Sequence, residues 1–201
     1  MDELERNQRH KERMQRKKAA IDASIAQASQ DKGVLVLLTG NGKGKSSSAF
    51  GMVARALGHG MKVGVAQFIK SRTDTGEEAF FSKQNNVEWH VLGDGFTWDT
   101  QDRAQDIATS EQGWLIAEKM LADPSYDLVV LDELTYLINY KYLDADRIYD
   151  ALEKRPAMQH VVVTGRAAAP ELRDLADTVS EISDEKHAYR AGIQAQKGLD
   201  L

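Results

Sequence analysis

The chain changes rhythm at Gly33. Before it, residues 3 to about 28 are rich in Glu, Arg, Lys, Gln and Ala, contain neither Gly nor Pro, and carry apolar residues only sparsely. That pattern predicts a helix without a broad apolar stripe. After it, short β-branched apolar runs alternate with helical stretches, which is how parallel strands covered on both faces read. Strands are expected at 34–38, 62–68, 87–91, 128–131 and 160–163, with a weaker one at 178–182. Helices are expected at 45–57, 101–121, 145–154 and 170–176, and the stretch from 69 to 86 reads as a polar connection. The result is a three-layer α/β domain over residues 31–201 with a mostly parallel central sheet, preceded by a helical arm over residues 1–30. In open sheets of this kind ligands sit beyond the carboxyl ends of the strands, so the loops that follow the strands carry the chemistry.

Composition narrows the class. A chain of 201 residues, 42% hydrophobic and 28% charged, suits one core of ordinary size. No apolar run approaches the roughly 18 residues that span a bilayer. The first residues are charged and no apolar leader follows, which makes the cytoplasm the expected location. The absence of cysteine rules out disulfides, thiolate nucleophiles and cysteine-held metals. The formal charge of -5 argues against nucleic acid as the main partner. The arm is locally basic, with Arg6, Arg9, Lys11, Arg13, Arg16, Lys17 and Lys18 outnumbering Asp2, Glu3, Glu5 and Glu12. By charge pattern alone it is either a solvated segment or a cover for an anionic ligand.

The strongest chemical signal follows the first strand directly: Thr39-Gly40-Asn41-Gly42-Lys43-Gly44-Lys45-Ser46-Ser47, and then a helix. Glycines let backbone N–H groups turn toward phosphate oxygens, and the helix N-terminus adds favourable partial charge. Lys45 supplies a point charge for the phosphates and Ser46 a hydroxyl for Mg²⁺. The motif is a variant, because Thr39 stands where the P-loop pattern has its first glycine. The strand at 128–131 ends in Asp132-Glu133, an acidic pair of the kind that positions a nucleotide's metal. Together these features describe a P-loop (RecA-like) domain. A second loop, Gly93-Asp94-Gly95-Phe96-Thr97-Trp98-Asp99, places two large rings between glycines, either tucked into the core or forming a wall for a planar ligand. His59, His90, His160 and His187 lack metal-ligand spacing and read as structural or solvated.

At this level the chain resembles the P-loop type ATP:corrinoid adenosyltransferases. The resemblance runs through the phosphate loop, Val65-Ala66-Gln67-Phe68-Ile69-Lys70, Gly95-Phe96-Thr97-Trp98, Val130-Leu131-Asp132-Glu133-Leu134-Thr135-Tyr136, Thr164-Gly165-Arg166 and Leu175-Ala176-Asp177-Thr178-Val179-Ser180-Glu181. Departures are small: Ser46 stands where threonine is common, and the end, Gly198-Leu199-Asp200-Leu201, lacks a terminal aromatic residue.

The resemblance implies that ATP and a corrinoid, either a cobalamin or cobyrinic acid a,c-diamide, are substrates, with Mg²⁺ at Ser46 and at Glu133 or Asp132. It implies that Gly40, Asn41, Gly42, Lys43, Gly44, Lys45, Ser46 and Ser47 hold triphosphate as a leaving group. Arg166 becomes a candidate ligand contact. It further implies that Phe96 and Trp98 pack on the lower corrin face and displace its axial ligand, easing reduction of Co(II) to Co(I). No Met or His ligand to cobalt is expected. A reduced flavoprotein is the implied electron donor, a homodimer the implied assembly, and closure over the substrates the implied task of the arm. The rival readings are a RecA-like NTPase or small-molecule kinase, which gives Phe96 and Trp98 no task, and a nucleotide-dependent nucleic-acid binder, which the acidic charge disfavours.

Overall fold

A computed structural model of the chain describes residues 3–69, 75–93 and 102–200. It divides into two compact units, 1–32 and 33–201. Within the first, α1 (Glu3–Gln27) is one continuous helix with no buried residue. The sparse apolar positions account for this, since such a helix has no stripe wide enough to demand a core.

The second unit is built on six parallel strands: β1 (Leu35–Thr39), β2 (Val63–Gln67), β3 (Val87–Val91), β4 (Leu128–Asp132), β5 (His160–Thr164) and β6 (Thr178–Glu181). Their order across the sheet is β3-β2-β4-β5-β1-β6. The helices are α2 (Lys45–Gly58), α3 (Gly76–Phe81), α4 (Arg103–Ala122), α5 (Leu134–Asn139), α6 (Ala145–Glu153) and α7 (Pro170–Leu175). A short 3-10 turn at Ala188–Ala191 follows β6.

Helices cover both faces of the sheet, so the central strands are apolar on both sides; β2 and β4 are buried at every position. On one face Leu38, Val130 and Val162 meet Ala49, Phe50, Val53 and Ala56 of α2, whose spacing puts them on one helical stripe. On the other face Leu35, Leu37, Val129 and Val161 pack with α4, α5, α6 and α7 around Trp114, which is completely buried. The buried positions of α4, Ser110, Gly113, Trp114, Ala117 and Met120 with Leu121, repeat at three and four residues. Asp102 caps that helix by accepting from the N–H groups of Ala104 (3.0 Å) and Gln105 (3.2 Å). Arg147 on α6 ties it to α4 through Glu111 and Glu118, each at 2.8 Å.

Two helices fall where the apolar pattern had suggested none. α3 occupies part of the stretch read as a polar connection, and Thr75 starts it by accepting from Glu78 N–H. α5 follows β4 after a single residue. Both have six residues, too few to display a helical period. β6 is the exposed edge of the sheet, which explains why its apolar pattern was weak.

Candidate active site

The carboxyl ends of the four middle strands share one feature. β1, β2, β4 and β5 each run four largely apolar residues and close on a polar one: Thr39, Gln67, Asp132 and Thr164. All four are at most 1% exposed. Buried polar groups need partners: Thr39 Oγ1 accepts from Ala168 N–H (3.4 Å), and the other three find one another. Gln67 donates to Asp132 Oδ2 (3.1 Å), Thr164 Oγ1 donates to Asp132 Oδ1 (2.7 Å), and Glu133 N–H donates back to Thr164 Oγ1 (2.9 Å). Trp89 on β3 extends the row by donating its indole N–H to Gln67 Oε1 (3.0 Å). A hydrogen-bonded line thus crosses β3, β2, β4 and β5, with the Asp132 carboxylate at its centre.

Just past the same strand ends the backbone takes left-handed turns at residues other than glycine: Ile69 (φ 67°), Glu133 (φ 64°) and Ala167 (φ 49°). Such conformations cost about 1–3 kcal/mol each and persist where surrounding structure imposes them. At Glu133 the Thr164 hydroxyl holds the strained peptide, and the chain turns at once into α5.

The phosphate loop lies between β1 and α2, and the segment after β6 backs it. Gly42 N–H donates to Ile182 O (2.7 Å), and Ile182 N–H donates to Thr39 O (2.8 Å). A Cβ on Gly40 or Gly42 would sit 2.5 Å from Ile182 O or 2.4 Å from Ser183 O respectively, so close approach of that backbone explains both glycines. The Gly42 amide therefore serves the fold of the loop rather than facing outward. Gly44 differs. It has open space around it and adopts φ 121° at the cap of α2, a conformation that glycine adopts readily.

Lys45 is 7% exposed and donates to Gly42 O at 2.7 Å. Burial pushes its pKa below the ordinary lysine value, most strongly opposed by Glu133; Arg166 adds to the lowering and Asp132 opposes it. Two cations and two carboxylates thus act on one another within a single site. Arg166 itself is exposed, while its carbonyl accepts from Thr135 Oγ1 (2.7 Å) and Asn139 Nδ2 (3.2 Å), which locks the loop after β5 onto α5. Tyr136 is also part of this environment: burial, followed by Glu133, raises its pKa, and Arg166 opposes them. Ser46 is half-buried at the start of α2, and Asn41 and Ser47 are exposed.

Of the residues singled out in the sequence, the structure gathers Gly40 to Ser47, Asp132, Glu133 and Arg166 around one strand-end site. Phe96 and Trp98 lie outside the described residues. Gln67, Trp89 and Thr164 were not recognised as site residues in their own right, although a single polar residue closing each apolar strand was a readable signal. The histidines have local roles where bonds define them. His160 Nδ1 accepts from Val34 N–H (3.0 Å), His187 Nδ1 from Tyr189 N–H (3.2 Å), and His90 meets Glu88 at 2.8 Å. Among the described residues no group of three or more His, Cys, Asp or Glu side chains could enclose a metal by itself, and no helix is long and apolar enough to cross a membrane.

Comparison with known proteins agrees with this geometry. Residues 31–201 match the family model described as ATP:corrinoid adenosyltransferase BtuR/CobO/CobP, and residues 1–25 match one described as Cob(I)alamin adenosyltransferase N terminal. The corrinoid adenosyltransferase of Pseudomonas aeruginosa is 60% identical over 98% of this chain and 98% of its own length. That of Escherichia coli K12 is 47% identical over 96% of this chain and 98% of its own. A corrinoid adenosyltransferase of Sinorhizobium is 42% identical over 96% of this chain and 92% of its own.

Proposed function

The chain belongs to the ATP:corrinoid adenosyltransferase family, and on that footing we propose that its strand-end site holds the triphosphate of ATP as a leaving group while Co(I) of a corrinoid takes the 5′-deoxyadenosyl group. The observation that carries this assignment is the joint placement of Lys45, Glu133 and Arg166 around a glycine loop whose helix begins at Lys45. Co(I) donates an electron pair to C5′ of the ribose, the C5′–O bond breaks, and its electrons depart on triphosphate. Cobalt becomes formally Co(III) with a new bond to carbon. Negative charge grows only on the leaving group, so the protein needs to position and neutralise rather than to supply a nucleophile or base. A chain without cysteine is compatible with that demand.

Lys45 is well suited to the task. It is already desolvated, so its charge acts at a low local dielectric, and Glu133 helps keep it protonated. Mg²⁺ fits the donor set. The Ser46 hydroxyl and the Glu133 carboxylate are hard oxygen donors, and a metal that shares its shell with phosphate oxygens and water needs few protein ligands. When bound, it supplies charge neutralisation. Asp132 has both oxygens engaged by Gln67 and Thr164, so its proposed part is to hold the strand end from which Glu133 projects.

Phe96 and Trp98 are proposed to pack on the lower corrin face and exclude the axial ligand. The arm, residues 1–30, is proposed to close over the substrates of the domain formed by residues 31–201, where exclusion of water protects Co(I). A reduced flavoprotein as electron donor, a homodimer and a cytoplasmic setting complete the reading.

The test is anaerobic incubation of the protein with MgATP and chemically reduced cob(I)alamin, followed optically and by analysis of phosphate products. Light-sensitive adenosylcobalamin together with stoichiometric triphosphate is expected. ADP without adenosylation overturns the assignment and favours phosphoryl transfer or hydrolysis.

A further inference from the structure

The last turn of the chain returns to the phosphate loop. Lys43 Nζ lies 2.6 Å from Asp200 Oδ1. The Asp200 carboxylate is held in place by its own turn: Oδ2 accepts from Gln196 N–H (2.9 Å), Asp200 N–H donates to Gln196 O (2.8 Å), and Leu199 N–H donates to the same carbonyl (3.2 Å). Gly198 permits this turn with φ 82°. The adjoining Gly198 and Leu199 line a cavity of about 360 Å³ with Ser47, Gly76, Glu77 and Phe80. The terminal turn therefore sits against the loop and the first turn of α2.

We propose that Asp200 is a built-in counter-anion for the phosphate loop, one that claims Lys43 when the site is empty and competes with triphosphate for it. The inference rests on the anion-site reading of the loop. Three features favour competition over simple anchoring of the tail. The carboxylate is bonded from two sides, so it is presented as a preformed anion rather than a wandering side chain. Its partner is a lysine between two loop glycines, two residues before the buried Lys45. And Lys43 is about half exposed, so the ion pair is open to exchange with a solvated anion at modest cost. ATP carries adenosine contacts in addition to its phosphates, whereas released triphosphate has none. A competing carboxylate lowers both affinities by a similar factor, but for triphosphate, which lacks the adenosine contacts, the loss falls on the weaker complex and hastens its release.

The experiment measures calorimetric binding of inorganic tripolyphosphate with Mg²⁺ to the full chain and its variants, at low and at moderate KCl. Asp200→Asn is expected to bind tripolyphosphate roughly two- to five-fold more tightly than the parent, the range set by a partly exposed ion pair. Asp200→Glu, which keeps the charge, is expected to restore most of the parent affinity. The gain should shrink as salt screens the pair, and it should vanish in a Lys43→Gln background. Under turnover, Asp200→Asn should show stronger product inhibition by triphosphate with an unchanged single-turnover rate. Equal or weaker binding by Asp200→Asn, or a gain that persists without Lys43, overturns the inference while leaving the anion site intact. No tripolyphosphate binding by any of the proteins overturns the inference and the anion-site reading together.

Discussion

Each end of the sheet buries a cation, and the two cations are used in opposite ways. At the amino ends Arg155 has a side chain only 13% exposed, and it donates to the carbonyls of Leu152 (2.6 Å), Gln159 (3.2 Å) and Gly33 (3.2 Å). Asp177 lies 3.8 Å away and accepts from Leu35 N–H (2.9 Å). Beside them the Gln159 amide reaches the carbonyls of Met120, Asp123 and Tyr126. The planar fork of the guanidinium is matched to backbone acceptors from several segments, which closes the bottom of the domain. At the carboxyl ends Lys45 is buried more deeply than Arg155, yet its ammonium, with three hydrogens, has Gly42 O as its hydrogen-bond acceptor among the described residues. Burial lowers the pKa of both cations. Where the chain supplies enough acceptors the buried charge is structural; where it leaves a cation short of acceptors, an anionic ligand is proposed to complete the set.

The sharpest way to break this contrast is Lys45→Met. Turnover is expected to fall about 10²- to 10³-fold, the usual loss when a donor to developing negative charge is removed. Thermal unfolding is expected to show no loss of stability, since a desolvated charge is replaced by an apolar chain of similar length. A large drop in melting temperature would mean that Lys45 is structural after all.

Arg155→Met should do the reverse. Stranding three buried carbonyls is expected to cost about 3 kcal/mol of stability, read from denaturant unfolding. Tripolyphosphate affinity of the folded fraction should be unchanged. A selective loss of anion binding would contradict the division of labour between the two ends.

Between these extremes stand Gln67 and Thr164, which are buried like the lower groups but belong to the upper end. Gln67→Leu and Thr164→Val are expected to reduce turnover about ten- to a hundred-fold, as loss of a residue that orients an acidic group generally does. ATP binding should suffer less than the chemical step. Equal activity in these variants would reduce the polar row to a packing device.

The smallest effect is the response to pH. Burial holds the folded pKa of Lys45 below the ordinary lysine value, so between the two values the unfolded chain binds more protons than the folded one. Lys45 therefore makes stability rise with pH across that window. Triphosphate affinity should fall over the same window as the ammonium deprotonates. Parallel titrations of the parent and Lys45→Met by thermal unfolding, and of the parent by calorimetry, check both signs; a trend of stability that is identical in the two proteins would exclude Lys45 as its source.

Much of this architecture was legible as pattern. Apolar runs covered on both faces made a parallel sheet the natural reading, and the observed strands fall within a residue or two of the expected ones because burial on both sides leaves little alternative to such runs. α3 and α5 escaped notice because one and a half turns show no period. The loop Gly40 to Ser47 and the pair Asp132-Glu133 could be picked out locally as site candidates, since glycine spacing and a strand-end carboxylate are properties of contiguous residues.

What the sequence by itself determined, then, was which short polar and glycine-rich segments follow the strands and that a parallel sheet joins them. Only the tertiary structure decided how their groups are shared out. That Gly42 turns its amide to Ile182, that Asp132 spends both oxygens on Gln67 and Thr164, and that Asp200 meets Lys43 all depend on strand order and on segments distant along the chain. The reason is physical. A residue's type fixes its donors, acceptors and charge, but burial and partners set what those groups do, and both come from chain segments that no local window contains.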